Sequence, residues 1–318
     1  MVAPLTGIFG GDERVLVGAE SGDDAGVYLH GDEALVATVD FITPVCDDPH
    51  RFGRVAAANS ISDIYAMGGF PLFALNICCF PKEVPREMLS AILEGAAGAL
   101  TESGAVPIGG HTVKDDDLKF GLAVVGRADK DRLMTHAGAR QGDRLLLTKP
   151  LGTGVLINSF RKDKLDAAGL EPALREMERL NAVAADLAIR HGVRAGTDVT
   201  GFGLAGHALA IARSSGVALR IDFERLPRYE AFFGLVDQGV TTVSTKPNRE
   251  NVGELYEEQI DLSPAQRDLL FDPQTSGGLL LAVAPAESAS LLEGLRGSGH
   301  QAAEVGEVVG DTPRIIVV

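Results

Sequence analysis

The sequence predicts an α+β protein built from two mixed α/β domains. Its 318 residues suffice for one large or two medium domains, and its 45% hydrophobic content suffices for a substantial core. Helix-like and strand-like segments are mixed in both halves without strict alternation, which disfavours a simple doubly wound sheet. A glycine-containing segment beginning at Lys149 interrupts them. We therefore predict an N-terminal domain over residues 1–147 and a C-terminal domain over residues 148–318.

Short β-branched or apolar runs predict the strands of the first half, and apolar residues at helical spacing predict its helices. The first helix is alanine-rich, follows the turn at Asp48-Pro49 and stops at Gly68-Gly69. In chain order the predicted elements are strands at 14–18, 26–30 and 34–39, a helix at 52–67, a strand at 71–79, a helix at 86–101, strands at 105–108 and 119–126 around a loop at 109–117, and a strand at 144–148.

The second half combines more helices with strands near the end of the chain. Residues 239–260 are predicted to be a long loop, and long loops in compact domains are often functional. The predicted elements are helices at 153–161, 171–191 and 202–214, a strand at 217–223, a helix at 264–271, a strand at 278–284, a helix at 286–296, and strands at 303–309 and 313–317.

Composition argues against several classes of partner and location. With a net charge of −15 and no basic patch, neither nucleic acid nor an anionic membrane surface is an expected partner. The apolar runs are shorter than the roughly 20 residues needed to span a bilayer, and the first residues do not resemble a signal peptide. Three cysteines, Cys46, Cys78 and Cys79, form no paired framework, so we expect a reducing cytoplasm.

Five aspartates stand beside glycine or small polar residues rather than on polar faces. Carboxylates placed in this way suit hard cations such as Mg²⁺, which takes oxygen ligands and bridges to phosphates. Neighbouring glycines would let backbone N–H groups approach those phosphates. The pattern predicts a metal–nucleotide site assembled from distant parts of the chain. The aspartates are Asp23, Asp24, Asp40, Asp63 and Asp198.

Each of these residues also has a purely structural interpretation. Asp63 would cap a turn inside its alanine-rich helix, and Asp24 would be an ordinary turn acid. For a single aspartate the structural interpretation is the commoner one, whereas for the whole set the functional one is favoured.

A rival hypothesis is a dinucleotide-binding oxidoreductase. Gly201-Phe-Gly203-Leu-Ala-Gly206 matches the glycine fingerprint, and Asp222 and Glu224 follow about 20 residues later. That fingerprint needs an apolar strand directly before its first glycine, but the slot holds Thr197-Asp198-Val199-Thr200. A carboxylate at this point would repel a pyrophosphate unless a cation intervened.

Five segments in order resemble the selenophosphate synthetases, also called selenide, water dikinases. Any one of them is weakly specific, but five in register from about residue 14 to the end are strongly specific. The segments are residues 38–69, Gly109-Gly-His-Thr, Thr148-Lys-Pro-Leu-Gly-Thr-Gly, Thr197-Asp-Val-Thr-Gly-Phe-Gly-Leu-Ala-Gly-His and Asp272-Pro-Gln-Thr-Ser-Gly-Gly-Leu-Leu-Leu.

The resemblance implies an aminoimidazole ribonucleotide synthetase-like fold in which the N-terminal halves pair in a homodimer. It implies ATP and selenide as substrates with Mg²⁺ as cofactor, giving selenophosphate, AMP and orthophosphate. By the same resemblance, the metal ligands are Asp24, Asp63 and Asp198, and the nucleotide-site residues are Asp40, Asp63, Gly110, His111 and Thr112.

The resemblance also implies a reactive cysteine or selenocysteine followed three residues later by a lysine, expected upstream of Met1. We therefore expect the 318-residue chain to contain no catalytic residue of that pair and to bind ATP without making selenophosphate. Three explanations stay open: a trimmed arm, a start assigned downstream of a selenocysteine codon, or a natural variant that only binds nucleotide. Cys46, six residues after Asp40, is the first candidate for a substitute nucleophile.

Overall fold

The computed structural model describes residues 11–318, which divide into two compact units. The first unit ends at Leu133 and also includes the segment Glu178–Ala182; the second comprises Met134–Met177 and Val183–Val318. Each unit contains one mixed sheet with helices, so the predicted α+β class is confirmed. No helix in the described part of the chain is long and apolar enough to cross a bilayer.

Over its described residues, the first unit is a six-stranded sheet with two helices. The strands have the order β1-β2-β3-β6-β4-β5, in which β4 and β5 are parallel and the other neighbours antiparallel. The elements are β1 (Val15–Val17), β2 (Gly26–His30), β3 (Glu33–Ile42), α1 (Pro49–Ala66), β4 (Phe70–Phe80), α2 (Arg86–Ser103), β5 (Val106–Lys114) and β6 (Lys119–Ala128).

The two faces of this sheet differ in exposure. Val36, Leu122 and Val124 are fully buried on the face that α1 contacts. On the opposite face Val39, Phe41 and Leu75 are 59%, 52% and 40% exposed. We call the surface formed by these last three residues the open face.

Helices α1 and α2 cross at two glycines, which allow the backbones to touch. A Cβ atom on Gly53 would lie 1.9 Å from the carbonyl oxygen of Ile92, and one on Gly95 would lie 1.8 Å from that of His50. Asp48 caps the N-terminus of α1, because its side chain accepts a hydrogen bond from the backbone N–H of Arg51. The helix therefore starts at Pro49 rather than at residue 52.

The second unit is a seven-stranded sheet of order β10-β13-β9-β12-β7-β11-β8. Its strands are β7 (Arg144–Leu147), β8 (Ala195–Asp198), β9 (Ala218–Ile221), β10 (Tyr256–Glu258), β11 (Leu279–Val283), β12 (Ala303–Val309) and β13 (Arg314–Val317). Its helices are α3 (Thr153–Arg161), α4 (Ala167–Glu178), α5 (Ala182–Arg190), α6 (Gly203–Ser215), α7 (Ala231–Asp237), α8 (Thr245–Val252), α9 (Pro264–Phe271) and α10 (Pro285–Gly297). Strand β7 pairs with β11 and β12 of this sheet and so lies in the second unit. The domain boundary predicted from the sequence lies after β7, at residue 147.

Three element predictions are wrong. The predicted loop at 109–117 is largely strand, because β5 continues to Lys114 through two glycines with φ values of 152° and 157°. The predicted helix at 171–191 is two helices, α4 and α5. Glu178, the last residue of α4, pairs with Arg51 on α1, and Asn181, between the two helices, bonds to Ser62 on α1. The predicted loop at 239–260 contains α8 and β10, which were not predicted because their sequences are polar.

The α1–α2 crossing gives a matched pair of substitutions. Gly95→Ala should lower the free energy of unfolding by about 2 kcal/mol or more, because the new methyl group overlaps backbone atoms. Gly98→Ala on the same helix should raise it by about 0.5–1 kcal/mol, because alanine favours the helix and its nearest neighbour atom is 3.9 Å away. Urea unfolding measures both, and equal effects would contradict the close crossing.

Candidate active site

Strand β3 and helix α1 bring two of the predicted aspartates into one polar cluster in the first unit. Thr38 and Asp40 lie two residues apart on one face of β3, and Asn59 and Asp63 lie one turn apart on α1. The Thr38 hydroxyl donates to Asp63 Oδ2 at 2.5 Å, and Asn59 Nδ2 donates to Asp40 Oδ2 at 2.8 Å. Each carboxylate is therefore oriented by a side chain from the other element.

Burial shifts the pKa of Asp40 in this cluster. Desolvation raises the pKa of Asp40 to about 6, although the hydrogen bond from Asn59 lowers it. Ionised Asp40 is therefore poorly solvated, and a cation beside it would compensate the lost hydration. The oxygen donors and half-buried carboxylates of this cluster fit a hard cation such as Mg²⁺.

The backbone at Asp40 is fixed by Ser60 and Gly121. The buried Ser60 hydroxyl donates to the carbonyl oxygen of Asp40 at 2.9 Å and accepts from the N–H of Leu122 at 3.2 Å. A Cβ atom on Gly121 would lie 2.0 Å from that same Asp40 oxygen. These contacts set the spacing between β3, β6 and α1 where the carboxylates lie.

Strand β5 places the predicted Gly110, His111 and Thr112 on both faces of the sheet. Asp40, Leu122, Asn76 and Gly110 form one register row across β3, β6, β4 and β5. Thr112 pairs with Cys78 and shares the face of Gly110, whereas His111 pairs with Ile77 and shares the face of Phe41. Asn76 Nδ2 donates to the carbonyl oxygen of Gly109 at 3.1 Å and so supports the glycine pair.

Asp24 lies beside this sheet, two residues before β2. The first residue of β2, Gly26, pairs with Ala37, which directly precedes Thr38 on β3. Asp23 and Asp24 are both half-buried.

Asp198 lies in the second unit, as the last residue of β8, and is 1% exposed. The glycine fingerprint follows it at the start of α6, so a strand does precede the fingerprint. However, the neighbour of β8 is antiparallel β11, and β9 is separated from β8 by three strands. A dinucleotide fold needs parallel neighbours at this point, so the sheet topology excludes the oxidoreductase hypothesis.

Two side chains of the segment beginning at Asp272, to which the sequence analysis gave no individual role, bond to the glycine loop before α3. Gln274 Oε1 accepts from the N–H groups of Gly152 and Thr153 at 2.9 and 3.1 Å. Asp272 Oδ2 accepts from the N–H of Gly154 at 3.0 Å. The N-terminus of α3 is therefore capped from within the unit. Burial raises the pKa of Asp272 to about 8, against the hydrogen bonds that favour its ionised form.

Two of the three cysteines have weakly acidic thiols. Burial raises the pKa of Cys46 to about 11, and burial also raises the pKa of Cys78. The reactive species of cysteine is the thiolate, so neither thiol has the environment of an activated nucleophile.

Sequence reasoning missed Asn59, Thr38, Asn76 and Gln274 as parts of these arrangements. Asn59 alone had a local signal, because it precedes Asp63 by four residues on the same helix and therefore lies on the same stripe. The partners of Thr38, Asn76 and Gln274 lie 25 or more residues away in the chain.

Comparison with known proteins first defines the class. The family described as AIR synthase related protein, N-terminal domain, matches residues 22–128, and the corresponding C-terminal domain family matches residues 140–318. Thiamine monophosphate kinase from Aquifex aeolicus has a TM-score of 0.69 at 19% identity, covering 92% of this chain and 90% of that chain. Hydrogenase maturation protein HypE in complex with ATP has a TM-score of 0.69 at 16% identity, covering 91% and 82%. These structures establish a shared fold.

Relatives with higher sequence identity identify the family within this class. A selenide, water dikinase from Citrifermentans bemidjiense is 43% identical over 311 residues, covering 96% of this chain and 90% of the relative. That of Geobacter metallireducens is 44% identical over 319 residues, covering 99% and 92%. The chain belongs to the selenide, water dikinase family.

The buried Asp272 predicts a pH dependence of stability without metal. Between its ordinary value of 3.8 and its raised pKa of about 8, the folded state holds a proton that the unfolded state releases. Stability should therefore fall as pH rises through this window, with a contribution from Asp272 of up to about 1.4 kcal/mol per pH unit. Asp272→Asn should flatten the slope in urea unfolding at pH 5 to 8, and Asp237→Asn, at an exposed position, should not. An unchanged slope in Asp272→Asn would contradict the raised pKa.

Proposed function

We propose that this protein synthesises selenophosphate from ATP, selenide and water, releasing AMP and orthophosphate. The single observation that carries the proposal is the β3–α1 cluster, where Asp40 and Asp63 are held by Asn59 and Thr38, in a member of the selenide, water dikinase family. The reaction cleaves two phosphoanhydride bonds, so negative charge develops on several phosphate oxygens. Positioning and electrostatic stabilisation dominate such catalysis.

We assign Asp24 and Asp63 of the first unit and Asp198 of the second as magnesium ligands. Bound Mg²⁺ would neutralise charge on the phosphate oxygens. The Thr38 hydroxyl orients the Asp63 carboxylate, and the Asn59 amide favours ionised Asp40. Buried Asp198 and half-buried Asp24 and Asp63 are the carboxylate donors that a hard cation takes.

We assign Asp40, Asp63, Gly110, His111 and Thr112 to the nucleotide site. Gly110 has no side chain, so its strand offers backbone for close approach of a nucleotide. Because Thr112 and His111 lie on opposite faces of β5, they would contact different parts of the ligand or different subunits.

We propose that two copies pair through the open face. Val39 and Phe41 on β3 and Leu75 on β4 are large apolar residues exposed on the same face of the sheet, with β6 between the two strands, and such patches are typical of protein interfaces. His111 shares a register row with Phe41, so a partner on this face would lie next to a proposed nucleotide residue.

Product analysis tests the proposed reaction. The protein from its full natural reading frame, given ATP, Mg²⁺ and selenide, should yield selenophosphate, AMP and orthophosphate by phosphorus NMR, with the 318-residue chain assayed in parallel. Metal-dependent ATP binding without selenophosphate from the full reading frame would instead identify a nucleotide-binding protein of the same fold.

Nucleotide binding should depend on divalent metal. A protein of net charge −15 with carboxylates at the site repels a bare triphosphate, so chelation should weaken ATP binding at least about tenfold, or about 1.4 kcal/mol. Asp63→Asn should remove this metal dependence in titration calorimetry, whereas Asp32→Asn, in an exposed turn, should retain it. Equal ATP affinity with and without EDTA would exclude the metal role.

Pairing through the open face should be sensitive to one charge. Phe41→Glu should convert a dimer to monomers in sedimentation velocity, because a carboxylate would be buried in the interface. Leu93→Glu on α2, where the native side chain is 40% exposed, is the control and should leave the dimer intact. A dimeric Phe41→Glu protein would refute this interface.

A further inference from the structure

The turn that follows Asp198 is held at nearly every backbone position by groups from other elements of the second unit. The N–H of Val199 donates to the carbonyl oxygen of Gly278 at 2.8 Å, and the N–H of Gln274 donates to that of Thr200 at 2.9 Å. Asn248 Nδ2 donates to the carbonyl oxygen of Gly201 at 2.9 Å. The conformation of the turn is therefore set by the surrounding fold.

His207 contributes side-chain bonds on both sides of Asp198. It lies on α6 and is 7% exposed. Its Nε2 accepts a hydrogen bond from the backbone N–H of Thr200 at 3.1 Å, and its Nδ1 lies 3.3 Å from Thr197 Oγ1. The Thr197 hydroxyl in turn bonds to the carbonyl oxygen of Asp198 at 3.1 Å.

These contacts select one form of the imidazole. Because Nε2 accepts from a backbone N–H, it carries no proton, and a neutral ring must then carry its proton on Nδ1. The Nδ1–H donates to Thr197 Oγ1, and the Thr197 hydroxyl donates to Asp198. One directed chain of hydrogen bonds therefore runs from His207 to the peptide of Asp198.

We propose that His207 is a positioning residue for Asp198 and acts as the neutral Nδ1–H tautomer. The inference rests on the proposed function, in which Asp198 is a metal ligand. Its hydrogen bonds to Thr197 and Thr200 bracket Asp198, so moving the ring would move the backbone that carries the carboxylate. With Nε2 and Nδ1 both engaged in these bonds, the role is to orient Asp198 rather than to transfer protons.

Two substitutions separate the acceptor from the bulk of the ring. His207→Leu keeps an apolar side chain of similar size but leaves the Thr200 N–H without its acceptor. His207→Gln places an amide oxygen near the position of Nε2 and retains the acceptor. A structural role limited to filling space predicts the reverse order of damage, since leucine suits a buried site better than glutamine.

Binding of Mn²⁺ with ATP, followed by electron paramagnetic resonance on the 318-residue chain, is the first test. His207→Leu should weaken Mn²⁺–ATP binding at least about fivefold, and His207→Gln should recover to within about threefold of the native affinity. His191→Leu is the control, because His191 bonds to Glu287 on α10, and should bind as the native protein does. Asp198→Asn is titrated alongside.

These titrations distinguish the positioning role of His207 from the metal role of Asp198. If Asp198→Asn weakens binding and His207→Leu does not, the positioning role is overturned and the metal role of Asp198 stands. If Asp198→Asn binds with native affinity, its metal role fails and the positioning role fails with it.

A second measurement needs no metal and observes the native histidine directly. Long-range proton–nitrogen NMR on the histidine-labelled native chain should show His207 as the Nδ1–H tautomer at pH 7, with His207→Gln giving the assignment. An Nε2–H tautomer or an imidazolium would overturn the proposal.

Discussion

The arrangement of the first unit depends on holding two carboxylates, Asp40 and Asp63, in a half-buried contact between β3 and α1. Burial of Asp40 is unfavourable for its charge, as its raised pKa of about 6 indicates. The neighbouring structure serves to keep the contact in place: Asn59 and Thr38 bond to the carboxylates. Ser60 and Gly121 fix the backbone, and Gly53 and Gly95 let α2 press closely on α1.

In the second unit, Asp198 is positioned through the backbone turn that follows it. Its carboxylate lies on the last residue of an edge strand, and the following turn is held by bonds from His207, Gln274 and Asn248. Gln274 has two tasks, because its backbone bonds to Thr200 while its side chain caps α3 at Gly152 and Thr153. Backbone N–H groups of the glycine loop before α3 therefore donate to side chains of the protein itself.

Sequence alone predicted the α+β class and most elements, because these depend on local patterns and on a family resemblance. The assignment of the aspartates as ligands stays a prediction. It did not predict that Asn59 would meet Asp40, since strand–helix contacts are not encoded by spacing within either element. The glycines at 109 and 110 were interpreted as a loop, although positive φ values let them extend an edge strand. Gln274 was missed because its partners lie about 120 residues away in the chain.

We propose that Asp40 lowers the stability of the protein without ligand and is retained because it serves a metal-bound nucleotide. Thermal unfolding of the native protein and Asp40→Asn at pH 7.5, with EDTA and then with Mg²⁺–ATP, measures this directly. We expect Asp40→Asn to melt at a higher temperature than the native protein in EDTA, and to gain much less from Mg²⁺–ATP. A variant that is less stable in EDTA and gains as much as the native protein from Mg²⁺–ATP would contradict the account.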